Sequence, residues 1–81
     1  MLNVQHLNNC IMKLREFKVK VYMPEGTFFE VFFQIDWTDT ILKATRIAQA
    51  ICRAFGAKQG SSFEMNERQE WHLSCPYLLT E

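Results

Sequence analysis

The chain has 81 residues, nine Lys+Arg against nine Asp+Glu, no formal net charge, and 48% hydrophobic and 14% aromatic residues. That length holds a single domain, 1–81, because domains start at roughly 50 residues, and the apolar fraction is too high for a disordered chain. Three glycines and two prolines exclude collagen-like or low-complexity sequence, and no apolar run approaches the ~20 residues that span a bilayer.

With no leader segment recognisable, a cytoplasmic location is the expectation. The cysteines agree with it. Cys10, Cys52 and Cys75 are odd in number and widely spaced, which suits reduced thiols better than a disulfide framework.

At the N-terminus Val4, Leu7, Ile11 and Leu14 stand at helical spacing, which predicts a short amphipathic helix, weakened by Asn3, Asn8 and Asn9. Met12-Lys13 also reads as a start in its own right. On that reading residues 1–11 are a flexible or dispensable extension.

A hairpin follows. Phe17, Val19, Val21 and Met23 alternate with Lys18, Lys20 and Tyr22, the period-two pattern of a strand. Pro24-Glu25-Gly26 supplies turn chemistry. A second strand then sets Phe29, Val31, Phe33 and Ile35 against Phe28, Glu30, Phe32 and Gln34. The rows 17/19/21/23 and 29/31/33/35 are the more uniformly apolar and should face the core.

Ile41, Ala44, Ala48, Ile51 and Phe55 recur at steps of three and four, predicting a helix over about 38–55. Asp36 or Thr38 would cap it, and Gly56 suits the residue just past its end. The stretch Lys58-Gln59-Gly60-Ser61-Ser62 reads as a polar loop. Residues near 62–66 and 70–74 read as short strands around a turn at Asn66-Glu67-Arg68, and Tyr77-Leu78-Leu79 as a segment that packs back. The fold class is therefore α+β: a two-layer ββαβ(β) domain, its antiparallel sheet packed on one main helix.

The second sheet face carries Lys18, Lys20, Tyr22, Phe28, Glu30, Phe32 and Gln34. Aromatic rings among lysines suit a protein partner, a second copy of the chain, or single-stranded nucleic acid, whose bases stack and whose phosphates pair. An N-terminal helix would also cover this face. Nucleic acid is the lesser expectation, since the chain lacks a basic excess and Glu30 repels phosphate. Lys43, Arg46 and Arg53, with Gln49, form a basic outer helix face that is either a solvated surface or a patch for an acidic partner.

The charge is segregated along the chain. Residues 13–20 hold four basic groups and one acidic, whereas residues 25–39 hold four acidic and none basic. Patches of both signs favour a protein partner over a uniform polyanion.

His6-x-x-x-Cys10 and His72-x-x-Cys75 supply the ligand count of structural zinc, but their spacing matches no common finger, so no metal and no cofactor is assigned. No nucleophile elbow, phosphate loop or dinucleotide fingerprint is present, so the chain is not read as an enzyme. His72 beside Ser74-Cys75-Pro76 is the nearest thing to a thiol with a base, and a regular strand would point the two to different faces.

From Phe17 to Gly56 the chain runs as a Lys/Val strand, a short turn, an aromatic strand, then Asp-Trp-Thr-Asp-Thr leading into an Ala/Ile helix that ends in Phe-Gly. In this it resembles small phage and mobile-element proteins of ββα(β) type, including several anti-CRISPR proteins, over about half its length. The resemblance implies a non-enzymatic inhibitor, in a host cytoplasm, that binds a CRISPR surveillance complex or nuclease. It assigns no residue a role, because those proteins share no signature. Beside it stand a homodimer through the sheet face and, as the alternative, a single-stranded nucleic-acid-binding domain.

Overall fold

The computed structural model describes residues 13–78, which form β1 (Leu14–Tyr22), β2 (Phe28–Asp36), α1 (Ile41–Ala54), β3 (Gln59–Met65) and β4 (Trp71–Cys75). The four strands make one antiparallel sheet in the order β2-β1-β3-β4. β2 and β3 both run antiparallel to β1, and so parallel to each other. A tight turn cannot join parallel strands, and α1 makes the crossover.

The β1–β2 register is unbroken from Leu14↔Asp36 to Tyr22↔Phe28. Its turn is closed by the Gly26 N–H donating to the Met23 carbonyl at 3.0 Å and the Met23 N–H to the Thr27 carbonyl at 2.9 Å. Gly26 sits at φ +99°, where a Cβ would strain the backbone. β1 starts three residues before Phe17. Leu14 is therefore the first residue of a strand and not part of an N-terminal helix, because its backbone pairs with Asp36. Val4, Leu7 and Ile11 lie outside the described residues.

α1 is capped by Thr40, not by Asp36 or Thr38. The Thr40 hydroxyl accepts from the Lys43 N–H at 3.2 Å. Thr38 instead donates to the Asp36 carboxylate within the preceding turn. At the far end the Ala57 N–H reaches the Cys52 carbonyl and the Gly56 N–H the Arg53 carbonyl, both at 3.0 Å, with Gly56 at φ +73°. This pair of bonds is the Schellman stop that Gly56 foretells.

The buried line of the helix is Ala44, Ala48 and Cys52, flanked by the partly buried Ile47 and Ile51. Of the expected stripe, Ala44 and Ala48 are buried and Ile51 is partly so, whereas Ile41 and Phe55 at its ends are largely exposed. Small side chains on the contact line let the helix backbone come close to the sheet. Gly60 on β3 matches them, since a Cβ there would lie 2.6 Å from the Cys52 sulfur and 2.9 Å from the Lys20 carbonyl. The polar run Gln59–Ser62 is thus strand and not loop: Ser62 pairs with Val19 and Gly60 with Val21.

The core lies between α1 and the rows of Phe17, Val19 and Val21 on β1 and Ile35 on β2, all buried as their alternation predicts. Leu78 completes it. Its N–H donates to the Gly60 carbonyl at 2.9 Å and its side chain is fully buried, while Tyr77 turns to solvent. At one end Arg15 grips Glu64 with two bonds, Nε to Oε2 at 2.8 Å and Nη2 to Oε1 at 2.9 Å, and gives a third to the Asp39 carbonyl at 2.9 Å. The Glu64 hydrogen bond holds the guanidinium more firmly protonated than usual, against the opposing effect of burial.

Candidate functional site: the open face of the sheet

Strand alternation sends one row of each strand into the core and the other out of it. α1 covers one side of the sheet. On the other, β1 presents Lys18, Lys20 and Tyr22, and β2 presents Phe28, Glu30 and Phe32. Opposite Lys18, β3 sets Phe63, and opposite Phe63 and Met65, β4 sets Leu73 and Trp71. Among the described residues no element covers this face. Phe28 is 53% and Phe32 61% exposed, and Leu73 is exposed to a similar degree.

The face is organised around a lysine. The Lys18 ammonium lies 3.1 Å from a Glu30 carboxylate oxygen, 5.1 Å from the centre of the Trp71 ring and 5.4 Å from that of Phe63. Phe32 and Trp71, from the two outer strands, meet above the sheet with ring centres 5.8 Å apart. Lys18 keeps only 16% of its side-chain exposure as a result. Lys20 lies across Phe28, 4.6 Å from the ring centre, and Phe28 in turn leans on Tyr22 at 6.0 Å. Cation–π contacts of this kind add about 0.5–2 kcal/mol each, more where water is excluded. A shallow cavity of about 210 Å³ opens beside Phe32 and Trp71, rimmed by Glu16 and Gln34.

The nine residues expected to bind a partner therefore fall on two surfaces. Lys18, Lys20, Tyr22, Phe28, Glu30 and Phe32 come together on the open sheet face. Lys43, Arg46 and Arg53 are exposed on the outer side of α1, in the opposite layer, and Lys43 is already paired with Asp39 at 3.0 Å. The segregated charges of the chain are partly brought together here. Folding joins the basic run 13–20 to acidic residues through Lys18–Glu30 and Arg15–Glu64.

Phe63, Met65, Trp71 and Leu73 enlarge the site beyond what the sequence reading named. Their signal was the spacing of two within 63/65 and 71/73. It showed two short strands but not the register that lays them against Lys18.

β3 and β4 are joined through Asn66, whose side-chain oxygen accepts from the N–H groups of Arg68 and Glu70 at 2.8 and 3.0 Å. Further along, the register shifts between Ser62 and Phe63, leaving Ser74 as the extra residue of a bulge. The bulge corrects one expectation. His72 and Cys75 stand opposite Glu64 and Ser62, in the same row and not on opposite faces. They still do not pair: Cys75 donates to the Tyr77 carbonyl at 3.4 Å, and His72 is exposed. His6 and Cys10 lie outside the described residues, and among the described residues no three His, Cys, Asp or Glu side chains gather around a metal position. Cys52 is buried, and desolvation pushes its thiol pKa up, away from reactivity.

The fold and site define a small α+β domain with one sheet face covered by a helix and the other an open aromatic surface. No described helix is long and apolar enough to cross a membrane. Comparison with protein-family models, with curated proteins and with solved structures finds no match.

Proposed function

We propose that the chain is a non-enzymatic protein-binding module whose working surface is the open sheet face, with Phe28, Phe32, Trp71 and Leu73 as anchors. The observation that carries this reading is the state of Lys18. Of the two lysines on the face, Lys18 is held between Glu30, Trp71 and Phe63 and is matched internally, and Lys20 lies across the Phe28 ring, so the face offers rings and apolar side chains without an excess of free cations. Aromatic anchors at the centre of a contact dominate interface energy, and neutral polar surroundings serve as the rim. A phosphate backbone asks for the reverse, namely free cations in excess.

The small phage proteins that the chain resembles bind protein machines. A CRISPR surveillance complex or nuclease is accordingly the first partner to test, with inhibition as the activity and the host cytoplasm as the place.

The experiment is affinity capture from a candidate host lysate with and without nuclease, repeated with Phe28→Ala and Phe32→Ala. A nuclease-resistant protein, lost from both variants and retained at high salt, supports the reading. Capture that vanishes with nuclease, or that falls by roughly 10³-fold or more as salt rises from 50 to 200 mM, overturns it in favour of single-stranded nucleic acid stacked on the same rings.

A further inference from the structure

Among the described residues the sheet has two unpaired edges, β2 and β4, and they are built differently. β4 is five residues long, carries the bulge at Ser74 and runs into Pro76. Short length, bulges and proline are the devices that keep an edge from pairing with another chain. β2 has none of them. It is nine residues of unbroken register, FFEVFFQID, with no Lys, Arg, Gly or Pro. Its two charges are engaged within the chain, Glu30 by Lys18 and Asp36 by Thr38.

Burial of β2 is also incomplete on both sides. α1 packs over β1 and β3. On the helix side Phe29, Val31 and Phe33 are therefore only partly buried, while Val19 and Val21 on the neighbouring strand are fully so. On the open side Phe28 and Phe32 are more than half exposed.

We propose that the edge of β2 pairs antiparallel with β2 of a second copy of this chain, about a twofold axis at Phe32. In that register Phe32 faces Phe32, Val31 faces Phe33, Phe29 faces Ile35, Glu30 faces Gln34 and Phe28 faces Asp36. Each residue keeps its own side of the sheet, so helix-side rows meet helix-side rows and the open faces join. No like charges stand opposite. Moving the axis to Glu30 would set two carboxylates against each other, and moving it to Val31 would set Glu30 against the partner's Phe32. Like charges directly opposite are destabilising, whereas aromatic and β-branched pairs across strands contribute favourably. The product is one continuous eight-stranded sheet with a helix layer on one side and a doubled aromatic surface on the other. The pairing does not rest on the identity of any other partner.

The test is the mass of the full chain by sedimentation equilibrium across a concentration series. A dimer is expected. Gln34→Lys sets a lysine opposite the second copy's Glu30 and should lower the dissociation constant roughly two- to thirtyfold, for two cross-strand ion pairs per dimer. Gln34→Glu should raise it by a similar factor. Leu73→Glu, on the far strand of the open face, should leave it unchanged. Circular dichroism checks that each variant is folded. A monomer at the highest soluble concentration overturns the proposal. So does a dimer broken by Leu73→Glu and indifferent to both Gln34 changes, which would mean packing face to face. A chain lacking residues 1–11 that dimerises where the full chain does not would also overturn it, assigning the edge to the chain's own N-terminal segment.

Discussion

On the helix side of the sheet Phe17, Val19 and Val21 have almost no exposure, while Phe28 and Phe32 on the opposite side, in the same hairpin, are more than half exposed. Both rows are rich in large apolar side chains, so residue type does not separate them. The helix does. Ala44, Ala48 and Cys52 bring α1 close enough to seal one row, and among the described residues the other row is packed by its own neighbours: ring on ring, and lysine on ring. The sealed face holds the core, and on the other, among the described residues, large rings stay exposed.

That division can be broken or sharpened by mutation. The largest effect belongs to the sealed side. Phe17→Ala should cost about 3–5 kcal/mol in urea unfolding, and Leu78→Ala about 2–5 kcal/mol, as large-to-small changes in closed sites do. Gly60→Ala comes next, at about 1–3 kcal/mol, because the added methyl meets the Cys52 sulfur and a backbone carbonyl that cannot move aside. Glu64→Gln, which strips the charge from the two-bond grip on Arg15, should cost about 1–2 kcal/mol. On the open side Phe28→Ala and Phe32→Ala should cost under about 1 kcal/mol each, yet weaken a partner by about 2 kcal/mol or more. Should Phe32→Ala cost as much as Phe17→Ala, the open face is core and the division fails.

The smallest effect is one of pH. Burial raises the Cys52 pKa in the folded state. Its contribution to stability is therefore complete below the ordinary thiol pKa of about 8.5 and is lost as pH rises above it. Urea midpoints of the wild type should fall more steeply over that alkaline range than those of Cys52→Ala. In the native state a thiol reagent should label Cys52 far more slowly than Cys75.

Much of the architecture was legible because alternation and helical period are local. The hairpin, the choice of which hairpin row faces inward, the existence of α1 and its stop at Gly56 all follow from residues within a few positions of one another. The departures trace to contacts that local pattern does not encode. Gln59–Ser62 look like loop because glycine and serine are poor strand formers. They are strand because they pair with β1, and at Gly60 the close approach of Cys52 leaves no room for a side chain. The expected helix stripe had Ala44 and Ala48 right but carried Ile41 and Phe55 at its ends and left out Cys52, the third residue that the sheet buries. The candidate site was half visible: the hairpin supplied six of its residues, and Phe63, Met65, Trp71 and Leu73 join them through a register set sixty residues from the start of the chain. The neutralisation of Lys18 is of the same kind, since it depends on β2, β3 and β4 arriving on both sides of β1.

Leu78 gives the fold a direction in time. During synthesis the β1–β2 hairpin emerges first, with both of its apolar rows in water, and α1 follows with half of its seat missing. The seat closes only when Gly60 has paired with Val21 and the Leu78 N–H has bonded to the Gly60 carbonyl. A nascent chain stalled anywhere before Leu78 therefore lacks the buried side chain and the Gly60 bond that complete the core. Resistance to protease should appear abruptly as that one residue clears the ribosome, not gradually as each element is made.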